Sequence, residues 1–350
     1  MLPIIEQLGK DYSGRPRDFN EALIQGLISA DYLKGMLSAE VNEPLFELFR
    51  KFFKEKEKQR KTRLAVSIIE ELWRLWRDPR AIENLKVWSG ILANVDLAQK
   101  ASFIQDEYHR DHVIHTVYVY LLGLYLMAMS KRIYDGVYQH HAMFFQPWAL
   151  VSTLHDIAYP LETASKEVRK VCTNIGVSPL VAKDYEDLND RDKAIWGYLD
   201  EYFRGEFAYK GESLYTRFYG EGYLDHALAA GYFVASSYSD VNGQTSQLVL
   251  EMAAAVILHA GVDFDFKIEL EKEPYAYLVI VCDELQCWDR FSPARDIIPA
   301  VSLEIEPNGD LINAKLPFNY EAIKELEKVF DTKLKGWREI LEIHQTCPSY

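Results

Sequence analysis

Between Asp18 and about Leu97 apolar residues recur three and four positions apart, as in Leu45, Leu48, Phe49, Phe52 and Phe53. That is the period of helices with one buried face. Asp106 to Met129 predicts a long, largely apolar helix, and Pro147 to Ile157 predicts another that opens on proline and stops before Pro160. Helical spacing returns over Leu224 to Ser237, Gln247 to Ala260 and Pro274 to Arg290. Beyond Pro299 the period falls to two. Ala300 to Ile305 and Leu311 to Leu316 flank Pro307-Asn308-Gly309-Asp310, which reads as a β-hairpin around an Asn-Gly turn. A helix over Tyr320 to Phe330 follows, and then a weakly patterned segment with Trp337 and Ile340.

The chain is therefore expected to be mainly α, in three parts: an N-terminal helical extension over 1–100, a core over 101–298, and a C-terminal hairpin plus helix over 299–350. Within the core, residues 162–223 are richer in charge and in aromatics such as Trp196, Tyr202, Phe203, Tyr215 and Phe218, and read as a partly helical insert or lid. Large aromatics usually supply burial before recognition, so packing of the insert onto the core is the first expectation.

Composition narrows the classes. With 49% apolar and 26% charged residues the chain should fold throughout. A net charge of -14 disfavours a broad, sequence-independent grip on nucleic acid and suits a small substrate. Four scattered cysteines without a CxxC pair argue against a disulfide framework and for reduced thiols in a cytoplasm. No basic segment leads into an apolar one at the N-terminus, so no export signal is expected. The apolar run Val113 to Met129 falls short of the ~20 residues that span a bilayer and reads as a buried helix.

Histidines and acids nevertheless sit inside apolar runs. His155 and Asp156 close PWALVSTLHDIAYP, Asp283 interrupts LVIVCDELQCW, His259 ends MAAAVILHA, His226 opens HALAAGYF, and His115 lies in HVIHTVYVYLLG. A buried charge needs a partner. Taken singly, each has an ordinary reading as a hydrogen-bonded core histidine or a capping aspartate. One cation cluster accounts for all of them together, since imidazole and carboxylate ligands suit Mn, Fe, Co, Ni or Zn. His112 and His115 share a helix face, so either is a candidate ligand, while His109 drifts round to the surface. Phosphate-cradling, dinucleotide-binding and nucleophile-elbow motifs are absent, and Cys282 and Cys287 are spaced to point apart on a helix.

The ordered set His115, His155-Asp156, His226, His259 and Asp283 resembles the HD superfamily of metal-dependent phosphohydrolases. The resemblance covers roughly residues 105–290 and rests on HTVYV at 115–119, LHDIAYP at 154–160 and VIVCDELQCWDR at 279–290. It implies an HD-type helical bundle in which His115, His155, Asp156 and Asp283 bind a first metal. His226 and His259, with Asp156 bridging, bind a second. The implied cofactors are two divalent ions (Mn, Fe, Co, Ni, Mg or Zn), and the implied substrate is a small phosphate ester, foremost a nucleotide. His115-Thr116 followed by Val119 looks more like the family's first motif than His112 does, which makes His112 a neighbour of the ligands or a phosphate contact. The lysine that often follows the pair is replaced by Ile157, Ala158, Tyr159 and Pro160, which leaves Arg290 or Arg110 as stand-ins and a structural salt bridge as their ordinary alternative. Two other functions are consistent with the resemblance: a di-iron oxygenase of the same superfamily, and a regulatory module that binds a nucleotide without turnover. Membrane association is not expected, and self-association into a homo-oligomer is left open.

Overall fold

The computed structural model describes residues 39–55, 57–75, 112–140, 145–159, 162, 165–166, 184–219, 224–260, 264–285, 302–305, 311–316 and 320–345. It is mainly helical. In chain order the α-helices are α1 (Ala39–Lys54), α2 (Lys58–Leu75), α3 (His112–Met129), α4 (Lys131–His140), α5 (Phe145–Leu154), α6 (Asp190–Glu206), α7 (Leu214–Tyr219), α8 (His226–Tyr238), α9 (Gln247–His259), α10 (Pro274–Leu285) and α11 (Tyr320–Lys333). The strands are β1 (Ser302–Ile305), β2 (Ile312–Leu316) and β3 (Leu341–Gln345).

Helices α3, α5, α9 and α10 pack on one another, and α8 lies along α9. Their sequences are apolar on all sides because neighbours cover every side: Met252 to Leu258 and Tyr275 to Asp283 are buried without a break. Two crossings are unusually close. A Cβ at Gly123 of α3 would fall 2.2 Å from the Trp148 ring of α5, and one at Gly231 of α8 would fall 2.3 Å from Ile257 of α9. Glycine at each crossing lets the helices approach: the first joins α3, which carries His115, to the helix that leads into His155, and the second joins α8 and α9, which carry His226 and His259.

Outer elements brace this core. Trp73 of α2 donates its indole N–H to Thr153 Oγ1 (3.0 Å), and Lys61 of α2 donates to Tyr118 Oη (2.8 Å), so α2 grips α5 and α3 close to the site. Within the insert, α6 opens on Asn189, whose side chain accepts the Asp192 N–H, and buries Trp196, Leu199 and Phe203. Trp196 stacks on Tyr232 of α8, and Phe203 meets Phe264. The insert aromatics described therefore serve packing.

The two strands of the expected hairpin pair antiparallel, with Ser302 opposite Lys315 and Ile305 opposite Ile312. The weakly patterned segment beyond Trp337 adds a strand that the sequence reading did not assign. β3 pairs parallel to β2, Ile312 opposite Leu341 and Leu316 opposite Gln345, to give a three-stranded mixed sheet. Ile312 and Leu341 line a small apolar cavity with Leu126, Ile133 and Leu278, which seats the sheet on α3, α4 and α10. The last helix runs three residues further than expected, to Lys333. Among the described residues, no helix is long and apolar enough to cross a membrane.

Candidate metal centre

The helix expected over Pro147 to Ile157 ends earlier, at Leu154, and this decides where the pair points. Ser152 and Thr153 turn their hydroxyls back onto the carbonyls of Trp148 and Ala149 (2.6 Å each). The backbone then tightens, with Ile157 N–H bonded to Leu154 O (3.1 Å) and Tyr159 N–H to Asp156 O (3.0 Å). His155 and Asp156 thus stand in a buried turn beyond the helix, not within it, and face the neighbouring helices.

Asp156 divides the site. Its Oδ2 lies 3.7 Å from His115 Nε2 and 3.6 Å from His155 Nε2. Its Oδ1 lies 3.3 Å from His259 Nε2 and 3.6 Å from His226 Nε2. Asp283 of α10 closes the first half, its Oδ1 standing 3.0 Å from His115 Nε2 and 4.0 Å from His155 Nε2. Two donor groups result: His115, His155, Asp156 and Asp283, and then Asp156, His226 and His259. Within each, the ligand atoms lie within 4.8 Å of one another.

The outer nitrogens set the tautomers. His155 Nδ1 bonds to Ser152 O (2.8 Å) and His259 Nδ1 to Val256 O. A carbonyl only accepts, so each Nδ1 carries a hydrogen and each Nε2 is the nitrogen turned into the cluster. Burial drives the His155 pKa down to about 3, which keeps this ring neutral. Burial opposes charge on Asp156, but His155, His112 and His259 outweigh it and hold the carboxyl well below its ordinary range. His226 is the contrasting ring. Burial alone would lower its pKa, yet its bond to Glu162 raises it. Glu162 in turn is brought down to about 2 against its own burial, chiefly by His226 and Lys166.

This donor set fits a metal. His115 and His155 bring their Nε2 atoms to 3.2 Å, and His155 has no hydrogen there to give. A single N–H on His115 cannot serve His155 Nε2, Asp156 Oδ2 and Asp283 Oδ1 together, whereas a cation among them satisfies all four atoms. Bonds of about 2.0–2.2 Å to one ion place neighbouring ligand atoms roughly 3 to 4 Å apart, which is the spacing present here.

The six residues read as metal ligands are all brought together. His112 is close but sits elsewhere: its Nδ1 meets Asp156 Oδ2 at 2.9 Å, and its ring stacks on Tyr159 with centroids 4.1 Å apart. Of the two histidines on that helix face, His115 therefore enters the donor group and His112 orients the shared carboxylate. Arg290, Arg110 and His109 lie outside the described residues. Glu162, which bonds His226, was not expected at the site, and Tyr159, expected only as part of the stretch replacing the lysine, is 36% exposed beside His112 and His226. Glu162 carries one faint signal, the four-residue spacing to Lys166 with which it pairs. Comparisons with models of known protein families, with curated proteins and with solved structures return no match.

Proposed function

We propose that the chain is an HD-type metal-dependent phosphohydrolase that cleaves a small phosphate ester, foremost that of a nucleotide, at a centre of two divalent cations. The observation that carries this reading is Asp156, whose two carboxylate oxygens face two separate sets of histidines. His115, His155, Asp156 and Asp283 would hold the first cation, and Asp156, His226 and His259 the second. Cations held there would supply Lewis acidity, lowering the pKa of water and offsetting charge that develops on a phosphoryl group. The residues do the positioning: Ser152 O and Val256 O fix the rings of His155 and His259, and His112 holds Asp156 so that its oxygens diverge.

The test is phosphate release from a panel of nucleotides by the purified full chain. Activity should vanish on chelation, return with Mn or Fe, and be absent from Asp156→Ala. Turnover that survives both treatments would overturn the reading. So would a metal-loaded chain that binds a nucleotide and never hydrolyses it.

A further inference from the structure

We infer that Glu162 is a positioning residue for the second cation, acting through His226, and that it does so by tying together the two ends of the insert beside the metal centre. The inference rests on the two-cation reading above and adds to it a residue outside the ligand set.

Glu162 is buried, and 64 positions separate it from His226. Its Oε2 accepts both the His226 backbone N–H (3.0 Å) and the His226 ring at Nδ1. Its Oε1 pairs with Lys166, so both oxygens are engaged and the carboxylate cannot swing away without breaking contacts on two sides. Ser165 adds a second tie. It donates its hydroxyl to Glu162 O (2.8 Å) and accepts the Leu224 N–H (3.1 Å). Glu162 and Ser165 are thereby stitched to His226 and Leu224 at the point where α8 begins and where Asp225 caps that helix by accepting the Leu228 N–H (2.9 Å).

The chemistry follows from what each outer nitrogen touches. Ser152 O and Val256 O, neutral main-chain acceptors, orient His155 and His259. His226 alone of these three is oriented by a charged side chain. An acceptor on Nδ1 holds a hydrogen there and leaves Nε2, 3.6 Å from Asp156 Oδ1, as the nitrogen that the neutral ring offers to a cation, and a carboxylate there also makes the imidazole a stronger donor to that cation. No described side chain of the insert belongs to the donor groups, and Glu162 connects the insert to them through His226.

The experiment is a metal titration of the full chain, stripped with a chelator and reloaded with Co(II), followed by calorimetry and visible absorption. Wild type should take two ions. Glu162→Ala should bind the first as wild type does and the second about 10–100-fold more weakly, with a Co(II) spectrum matching that of His226→Ala. Glu162→Gln keeps an acceptor oxygen for His226 and should recover part of that loss; it also stands in if the alanine variant fails to fold. Combining Glu162→Ala with His226→Ala should weaken the second ion no further than His226→Ala alone. Wild-type affinity for both ions in Glu162→Ala, or in Glu162→Gln where only that variant folds, would overturn the role of Glu162 and leave the two-cation reading intact. Equal weakening of both ions would also overturn it. A wild-type chain that takes fewer than two ions would overturn the two-cation reading itself.

Discussion

Asp156 and Glu273 are two buried carboxyls in opposite states, and the difference lies in their neighbours. Asp156 is surrounded by imidazoles and stays ionised against its burial. Glu273 faces a Tyr202 hydroxyl (3.1 Å) and the like charges of Glu251 and Glu206. Burial, reinforced by those carboxylates, pushes its pKa up to about 8 despite the tyrosine bond. The folded state keeps this proton up to about pH 8, whereas an unfolded glutamate releases it near 4.5. Between those values the folded chain binds more protons, so stability falls as pH rises from about 4.5 to about 8, by about 1.4 kcal/mol for each pH unit at most. Glu273→Gln keeps an acceptor for Tyr202 and removes the titration. Its melting temperature should exceed that of wild type at pH 8, with the gap closing towards pH 5; parallel curves for the two proteins would contradict the assignment. His155, Asp156, His226, His259 and Asp283 were legible in the sequence because a charge or imidazole inside an apolar run is anomalous whatever the fold. Glu162 was not, because it lies in a charged stretch and gains meaning only when His226, 64 positions away, folds against it.

Helix type and order follow from period and apolarity, and α3, α8, α9 and α10 begin and end close to where the pattern places them within the described residues. Helix ends are set by finer chemistry. Where Ser152 and Thr153 turn their hydroxyls onto main-chain carbonyls α5 stops short, which converts a pair on a helix into a pair on a turn. At the other end of the site, Lys333, the last residue of α11, donates to His259 O (2.7 Å) and satisfies a terminal carbonyl of α9. The closest crossings, at Gly123 against Trp148 and at Gly231 against Ile257, bring α3 to α5 and α8 to α9. A methyl group at either position meets atoms at under 2.5 Å, so Gly123→Ala and Gly231→Ala should each cost about 1–3 kcal/mol in chemical denaturation. Metal titration should separate them: Gly123→Ala weakens the first ion, which draws on α3 and the turn after α5, and Gly231→Ala the second, which draws on α8 and α9. An unchanged denaturation midpoint in both variants would show that the helices have room to part.

The donor set is drawn from α3, the turn after α5, α8, α9 and α10, so a cation held there binds the folded chain and not the unfolded one. At a free metal concentration a hundred times Kd this linkage is worth about 2.7 kcal/mol. Chelation should therefore lower the melting temperature of wild type by a few degrees and leave Asp156→Ala unmoved, which differential scanning calorimetry on the two proteins would read directly; a wild-type melting point indifferent to the chelator would speak against a bound cation. The apolar core runs without interruption from Phe52 of α1 through the site helices to Leu341 of β3, so α1, α2 and the C-terminal sheet are walls of the same core that holds the donors. The sequence by itself determined a mainly helical protein, a C-terminal hairpin and a short set of buried imidazoles and carboxylates, because periodicity and the cost of burying charge are local properties. The two donor sets about Asp156, and the division of labour between His115 and His112, were implied by the resemblance and take their geometry from the tertiary structure; only the tertiary structure decided that Glu162 holds His226 and that the chain beyond Trp337 completes a parallel pair with β2. Those outcomes depend on which groups meet across 29 positions of chain, from Ile312 to Leu341, up to 103, from Asp156 to His259, and on ångström-scale helix approach at Gly123 and Gly231, neither of which leaves a period in the sequence.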